Sequence, residues 1–369
     1  MRNNQVLGLL FPNARDEALG EITAARAMGS VPFGGRYRLV DFTLSNLVNA
    51  GITKVGVITK NNYQSLMDHI GAGKAWDLSR KSTGLRYLPP YGTSDEQYAG
   101  RIASLASIDR FLEIATEEYV VMSDCYIVGS IDFEQLLRQH ILTGADITVA
   151  CKAGDKVDFP DQLRLTCGAD GQIQDITIGG NKKSGYTGLG IYVMKRERLR
   201  QLTAEAQSRN LGNFERDVIQ RHLGILKLYS YPVMEYTEVI TSLSAYYRAS
   251  MNLLAPGTRR QLFTPERPVL TKVRDTAPAV YGLHAAVSHS LVADGARIDG
   301  EVRNSVIFRD VHIGRGAVVE NAVIMQGTVI MQGARLNCVI CDKGITVKDG
   351  GSLRGAASHP VYIEKGAVV

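Results

Sequence analysis

A six-residue repeat near the carboxyl end is the feature that most restricts the fold of this chain. From Ile313, four consecutive units follow in register, each opened by an aliphatic residue or methionine: Ile-Gly-Arg-Gly-Ala-Val, Val-Glu-Asn-Ala-Val-Ile, Met-Gln-Gly-Thr-Val-Ile and Met-Gln-Gly-Ala-Arg-Leu. Further units begin at Val292 and Ile298. This period is typical of a parallel β-helix, although a β-sandwich with regular turns is the alternative. Because a β-helix has an open end, residues 360–369 are expected to cap it or to pair with another chain.

The first two thirds of the chain follow a different pattern. Short apolar runs at residues 6–11, 54–59 and 119–123 alternate with helical stretches, which predicts an α/β domain with a mostly parallel sheet. Prolines and glycine then interrupt the periodicity between residues 254 and 274, as is typical of linkers. We therefore predict a Rossmann-like domain over residues 1–254, a linker over 255–285 and a β-helix domain over 286–369.

Composition and charge argue against several classes of protein. The net charge of +5 is too small, and basic clusters too few, to indicate a nucleic-acid partner. No apolar run approaches the length of about 18 residues that a membrane helix needs, and no secretory signal opens the chain, so we expect a cytoplasmic protein without a membrane partner. The chain has an odd number of cysteines, scattered along the sequence: Cys125, Cys151, Cys167, Cys338 and Cys341. This distribution favours free thiols over disulfides or a metal site.

One long segment carries a family resemblance. Beginning at Val31 it is Val-Pro-Phe-Gly-Gly-Arg-Tyr-Arg-Leu-Val-Asp-Phe-Thr-Leu-Ser-Asn-Leu-Val-Asn-Ala-Gly-Ile, and it resembles the most distinctive stretch of the glucose-1-phosphate adenylyltransferases, or ADP-glucose pyrophosphorylases. The resemblance continues through residues 190–192 and 245–253 and ends in the repeat. It implies a nucleotidyltransferase domain with a mixed, mostly parallel sheet, followed by a left-handed parallel β-helix. The implied reaction converts ATP and glucose 1-phosphate into ADP-glucose and pyrophosphate with Mg²⁺.

The triphosphate loop of that family has no counterpart here. Such a loop presents backbone N–H groups from glycines and adds basic side chains, and its family pattern is Ala-Gly-Gly-x-Gly-Thr-Arg-Leu. Counting back without gaps, residues 12–19 read Pro-Asn-Ala-Arg-Asp-Glu-Ala-Leu. Side chains at Asn13, Ala14 and Asp16 would crowd the phosphates, and Asp16 adds negative charge. Ala18 and Met28 stand where the family has its loop arginine and a later lysine.

The remaining positions implied by the family are also incomplete. Asp124 is the one metal carboxylate that the resemblance finds, at the end of its strand, and we interpret it as vestigial. Val239 replaces the second aspartate, and the adjacent Glu238 is expected to point to the opposite face of its strand. Gly188 replaces a sugar-side serine. We therefore predict no catalytic residue, no metal and no cofactor for this chain, with Mg²⁺ serving a catalytic partner.

These losses suggest a pseudoenzyme. The pattern is most similar to the non-catalytic GlgD-type subunit of bacterial glycogen synthesis, which implies a heterotetramer with a catalytic subunit and an allosteric, regulatory role. Two alternatives are an active adenylyltransferase with a divergent site and a stand-alone sugar-phosphate-binding scaffold. A third, an acyltransferase using the β-helix, would need a catalytic histidine on an extended loop, whereas His312 precedes a unit of the repeat and His359 lies near the end.

A set of basic residues predicts an effector site. The family binds sugar phosphates or AMP between its domains, and the matching positions carry Arg26, Arg38 and Lys343, which would suit a phosphate. The alternative is that the two arginines pair with nearby acids such as Asp41. His69 is predicted to be a surface or core residue of a helix. Residues 74–81 are predicted to be a loop near the cleft or a subunit contact.

Overall fold

The amino-terminal domain of the computed structural model is built on a mixed sheet. Residues 5–89, 100–154, 159, 162–179 and 185–369 are described. The strands of this domain are β1 (Val6–Phe11), β2 (Pro32–Phe33), β3 (Tyr37–Arg38), β4 (Lys54–Ile58), β5 (Gly84–Leu88), β6 (Tyr119–Asp124), β7 (Ile127–Gly129), β8 (Ile147–Ala153), β9 (Leu163–Cys167), β10 (Ile173–Ile178), β11 (Tyr186–Lys195), β12 (Leu228–Pro232) and β13 (Thr237–Val239).

The strand order of the main sheet is β10-β9-β11-β6-β1-β4-β5, with β8 against β11 and β12 beyond it. Strands β6, β1, β4 and β5 run parallel, whereas β11 is antiparallel to β6. Every residue of β1 is buried, as expected for a central parallel strand covered on both faces. Because parallel strands end at one edge of a sheet, Phe11 and Asp124 lie side by side where β1 and β6 end.

Helices cover the two faces of this sheet. They are α1 (Leu39–Asn49), α2 (Gln64–Ile70), α3 (Arg101–Ser107), α4 (Asp109–Ile114), α5 (Phe133–Thr143), α6 (Arg196–Ser208), α7 (Leu243–Asn252) and α8 (Pro256–Leu262). Shorter helical turns are Asp16–Thr23, Met28–Ser30, Lys74–Trp76, Gln220–His222 and the π-helical Glu215–Ile219. Helix α5 shows how local sequence sets the ends: the Asp132 side chain accepts a hydrogen bond from the Gln135 backbone, and Gly144 closes the helix in the left-handed conformation. Among the described residues, no helix is long and apolar enough to cross a membrane.

The carboxyl-terminal domain is a parallel β-helix with three sheets. The first contains β14 (Val280–Tyr281), β17 (Arg297–Ile298), β20 (His312–Ile313), β23 (Val329–Ile330) and β26 (Thr346–Val347). The second contains β15 (Ala286–Ser288), β18 (Glu301–Arg303), β21 (Val318–Glu320), β24 (Arg335–Asn337) and β27 (Ser352–Arg354). The third contains β16 (Leu291–Val292), β19 (Val306–Ile307), β22 (Val323–Ile324), β25 (Val339–Cys341) and β28 (Val361–Ile363).

The turns of the β-helix differ in length from a strict six-residue register. Val302 pairs with Val319 and Val319 with Leu336, so these turns take 17 residues (302 to 319, 319 to 336). One corner is tighter because its residue is left-handed, with φ of 46° at Asn304 and 50° at Asn321. Asparagine tolerates this conformation well, and the Asn304 amide donates to the Asn321 side chain at 2.6 Å.

The domain boundaries also differ from those predicted. Strand β14 pairs in parallel with β17, so the β-helix takes in the last residues of the predicted linker over 255–285. Helix α8 occupies the beginning of that linker, with proline at its first turn. At the other end, β28 pairs with β25 and Val369 donates its backbone N–H to Thr346, so residues 360–369 add the final turn of the β-helix.

Candidate functional site

The segment after β1 is held closed by its own side chains. The Asp16 carboxylate accepts the Met28 backbone N–H at 2.7 Å and the Asn13 amide at 2.8 Å. Asn13 also donates to the Asn61 carbonyl at 3.0 Å and accepts the Lys60 backbone N–H at 3.0 Å. Burial raises the pKa of Asp16 to about 6, against the opposing effect of its hydrogen bonds. Asn13 and Asp16 therefore tie the loop to two neighbouring segments.

The backbone of this loop is also engaged. The N–H of Ala14 donates to the Phe11 carbonyl at 3.2 Å, and the N–H of Ala18 donates to the Arg15 carbonyl at 3.0 Å. Ala18 packs against the core, and Met28 is fully buried in it. The two positions where the resemblance implies a cation thus carry apolar, packed side chains. Two backbone donors of this loop, at Ala14 and Ala18, are thus directed to carbonyl oxygens of the chain and not outward to a phosphate.

A buried ion pair occupies the end of β6. The Nη2 atom of Arg101, the first residue of α3, lies 2.9 Å from each carboxylate oxygen of Asp124. Glu215 lies 3.5 Å from the same nitrogen, and its carboxylate accepts the Tyr192 hydroxyl at 3.0 Å. Burial opposes the charge of Arg101, but the carboxylates of Asp124 and Glu215 hold its pKa above the ordinary value. Arg101 is therefore a cation inside the cavity where a metal carboxylate was predicted.

This site does not fit a resident Mg²⁺. The ion requires near-octahedral oxygen coordination at about 2.0–2.1 Å, commonly with one or two carboxylates and several waters. Among the described residues, no three His, Cys, Asp or Glu side chains lie close enough together to hold a metal ion. Both oxygens of Asp124 are bonded to Arg101, so the carboxylate is already neutralised.

The remaining two predicted positions are Val239 and Gly188. Val239 lies away from this cavity, and Gly188 is closely packed. Val239 and Glu238 of β13 both line a second cavity, at the edge where β13 pairs with β7. Glu238 is bound to the Tyr236 hydroxyl at 2.9 Å and the Asn252 amide at 3.0 Å. A β-carbon at Gly188 would lie 3.2 Å from Leu163, so glycine suits the packing there.

The predicted effector cations are separated by the structure into two roles. Arg26 forms two hydrogen bonds of 2.9 Å with Asp342 of the β-helix, and both side chains are buried. Arg38 donates through its side chain to Ser65, while its backbone N–H donates to Asp41. Both arginines therefore have partners. Asp342, and not Asp41, neutralises Arg26. Arg38 and Lys343 line a common cleft, and Arg26 is not among its lining residues.

This cleft lies between the first domain, the linker and the β-helix. It encloses about 410 Å³ of empty space, including its open mouth. No acidic side chain is among the described residues that line it, whereas the basic ones are Arg36, Arg38, Lys272, Arg274, Arg309 and Lys343. Burial, and then the nearby positive charges of Arg38 and Arg26, lower the pKa of Lys343 to about 7. A bound anion would relieve this repulsion between cations.

His69 is the neutral member of the same cleft. Its Nε2 lies 2.6 Å from the carboxylate of Asp41, which is fully buried and also accepts the Thr271 hydroxyl at 2.5 Å. Burial lowers the pKa of His69 despite this carboxylate. Its ring also packs against Trp76 with centroids 6.0 Å apart. Trp76 is buried, so this part of residues 74–81 belongs to the core of the first domain.

Comparison with known proteins agrees with the two-domain architecture. A family model described as "Nucleotidyl transferase" matches residues 17–255, and one described as "GlmU-like, C-terminal hexapeptide" matches residues 278–355. The glycogen biosynthesis protein GlgD of Bacillus subtilis (strain 168) is 34% identical over 100% of this chain and 98% of its own length. The chain belongs to the family of GlgD proteins and glucose-1-phosphate adenylyltransferases.

Other relatives of both kinds are similarly distant. The glycogen biosynthesis protein GlgD of Geobacillus stearothermophilus is 36% identical over 86% of this chain and 83% of the relative. The glucose-1-phosphate adenylyltransferase of Thermotoga neapolitana is 35% identical over 85% of this chain and 76% of the relative. The predicted membership of the adenylyltransferase family and its fold, a nucleotidyltransferase domain followed by a left-handed parallel β-helix, are confirmed.

Several residues of these sites were missed by sequence reasoning. Arg101 and Glu215 belong to no motif, and only the fold brings them to Asp124. The linker cations Lys272 and Arg274 did carry a signal. They are two residues apart in a stretch without helical periodicity, and alternate residues of an extended chain share a side.

Proposed function

We propose that this chain is a regulatory, catalytically inactive subunit of glucose-1-phosphate adenylyltransferase in bacterial glycogen biosynthesis, and that it modulates a catalytic partner. The observation that carries the proposal is the closed loop after β1. Its N–H groups at Ala14 and Ala18 are bonded to carbonyl oxygens, and Asn13 and Asp16 tie it down. A triphosphate would have to break these bonds and approach the carboxylates of Asp16 and Glu17.

The partner would supply what this chain lacks. Transfer of an adenylyl group from ATP to glucose 1-phosphate brings two anions together, which requires positive charge at the phosphates and a Mg²⁺ ion. In the proposed heterotetramer, the catalytic subunit provides this positive charge and binds the Mg²⁺ ion. The relatives named GlgD support this assignment because they cover most of the chain.

The basic cleft supports a regulatory role for the proposed subunit. Arg38, Lys343 and Arg274 converge there from the first domain, the β-helix and the linker. Guanidinium groups bind phosphate with paired hydrogen bonds, so a sugar phosphate, AMP or phosphate is the proposed effector. An effector bound between these three segments would favour one relative placement of the two domains. Through that placement, its binding would change the activity of a partner subunit.

The deciding experiment measures ADP-glucose formation by a catalytic subunit with and without this chain, across effector concentrations. We expect no activity from this chain alone and a changed kcat, KM or effector response in the complex. Unchanged kinetics of the partner would remove the regulatory proposal. ADP-glucose formation by the isolated chain that Asp124→Ala abolishes would instead identify an active enzyme.

Two further measurements separate the remaining possibilities. Native mass spectrometry after co-expression should find mixed oligomers, whereas only homomeric species would favour a stand-alone sugar-phosphate-binding scaffold. Calorimetry with fructose bisphosphate, AMP and phosphate should detect saturable binding that Lys343→Met weakens. Lys348→Met is the matched control, because Lys348 is an exposed lysine of the same β-helix. Absence of saturable binding by the chain and its complex would refute the effector site.

A further inference from the structure

The cavity at the end of β6 contains a cation that the chain itself provides. Arg101 begins α3 and reaches the carboxylate of Asp124, with one nitrogen 2.9 Å from both oxygens. A single atom equidistant from the two oxygens of a carboxylate occupies the position of a chelated ion. The side chains of Arg101 and Asp124 are 10% and 3% exposed, so water contributes little to this neutralisation.

The walls of the cavity are shaped to hold this cation. The guanidinium carbon lies 4.6 Å from the centre of the Phe11 ring, 5.2 Å from that of Tyr192 and 5.7 Å from that of Phe214. Aromatic faces attract cations, and they tolerate a guanidinium whose Nε and Nη1 have no hydrogen-bond partner. Glu215, 3.5 Å from Nη2, contributes a second negative charge.

A divalent metal ion and this guanidinium are mutually exclusive. A metal ion chelated by both oxygens of Asp124 would need the space that the Nη2 atom of Arg101 occupies. The positive charge of the metal would also repel the guanidinium of Arg101 at close range. Displacing Arg101 would also leave a buried cation without its carboxylate, which is strongly unfavourable. Gly190 adds to the tight fit, because a β-carbon there would lie 2.3 Å from Asp124.

We infer that Arg101 is a built-in replacement for a divalent metal ion at Asp124, and that it both neutralises this carboxylate and excludes the metal. The carboxylate at the end of β6 is therefore neutralised by a side chain of the same chain, without a metal ion. This inference goes beyond the proposed function, because it concerns what holds the site together and requires no partner subunit.

The test is binding of Mn²⁺, followed by electron paramagnetic resonance and by the Tm of the full chain. We expect wild type and Arg101→Lys to bind no Mn²⁺ at Asp124, since both retain a cation. Arg101→Met, which keeps much of the volume and removes the charge, should have a lower Tm, bind Mn²⁺ saturably and regain stability with it. The double variant Arg101→Met with Asp124→Asn should lose that binding. Arg138→Met, at an exposed ion pair with Glu134, is the control that should behave like wild type.

Two results would overturn the inference. Mn²⁺ binding by wild type that Asp124→Asn removes would show that Arg101 does not exclude metal. Failure of Arg101→Met to gain Mn²⁺ binding would show that Arg101 is not what excludes it. If Arg101→Met does not fold alone, refolding with Mn²⁺ should recover it, and lack of recovery counts against the inference. None of these results depends on a catalytic partner, so they are distinct from failure of the proposed regulatory function.

Discussion

Replacing Arg26 with methionine is expected to uncouple the first domain from the β-helix. Arg26 and Asp342 are joined by two hydrogen bonds of 2.9 Å, with side chains 5% and 2% exposed. The variant leaves the Asp342 carboxylate buried with two donors, the Tyr362 hydroxyl and the Lys343 backbone N–H, each at 2.7 Å. A buried carboxylate that loses its cation is destabilising even when neutral donors remain.

The expected magnitude follows from this burial. Removing one partner of a buried ion pair costs about 3–5 kcal/mol, and the two remaining donors place Arg26→Met near the lower end, about 3 kcal/mol. Replacing both groups, as in Arg26→Met with Asp342→Leu, should cost clearly less than the sum of the single changes, because no buried charge is left. An exposed pair such as Arg138 and Glu134, with side chains 67% and 53% exposed, should contribute no more than about 0.5 kcal/mol.

Differential scanning calorimetry of the four variants measures this coupling. A loss of about 3 kcal/mol corresponds to a fall of about 6–12 °C in the Tm of a domain of 150–250 residues. We expect a fall of that order for Arg26→Met and almost none for Arg138→Met. The reasoning is refuted if Arg26→Met and Arg138→Met lower Tm equally, or if the effects of Arg26→Met and Asp342→Leu simply add in the double variant.

Three further outcomes are expected. Sulfate, which does not titrate near neutral pH, should bind the basic cleft more tightly as pH falls from about 8 to 6, because Lys343, with its pKa of about 7, gains its proton in this range. Calorimetry should find that this pH dependence of binding is weaker in Lys343→Met. The variant His69→Gln measures how much the neighbouring imidazole contributes to it. Gly188→Ser, which restores the family's serine, should lower Tm without giving ADP-glucose formation, because its β-carbon lies 3.2 Å from a leucine; any turnover would contradict this. Gly190→Ala should be more damaging, since φ is 70° and its β-carbon would lie 2.3 Å from Asp124, and an unchanged Tm would show that the cavity is not tightly packed.

The same lowered pKa has a consequence for stability. Between pH 7 and the ordinary lysine value of 10.5, the unfolded chain binds a proton at Lys343 that the folded chain does not. The contribution of this group to stability therefore rises with pH across that window, and its penalty is fully present below pH 7. A bound anion that favours the charged lysine should reduce the pH dependence.

Local patterns were sufficient to predict the elements of the fold. The apolar run of β1 is short, but it lies in a sequence that alternates strands with helices, and α1 is followed closely by Gly51, as is common where helices end. The β-helix was predicted from its repeat, since a repeat of six is compatible with few architectures. The lengths of its turns, such as the 17 residues from Val319 to Leu336, were not predicted, because a single left-handed residue such as Asn321 shortens the corner.

The candidate sites were predicted less completely, because their residues are distant in sequence. Asp124 could be located from the family pattern, but Arg101 and Glu215 reach it only through the packing of α3 and the π-helical turn against β6. Lys343 and Arg38 line one cleft, whereas Arg26 is held outside it by Asp342, a partner 316 positions away in sequence.

The sequence by itself determined which elements form and to which family the chain belongs, because both depend on the order of neighbouring residues. It also determined that the glycines of a triphosphate loop are missing between Asn13 and Ala18. Only the tertiary structure decided what replaced them: side chains that close the loop, an arginine on Asp124, and six basic residues around one cleft. Charges interact through space over a few ångströms, and it is the fold that sets those distances.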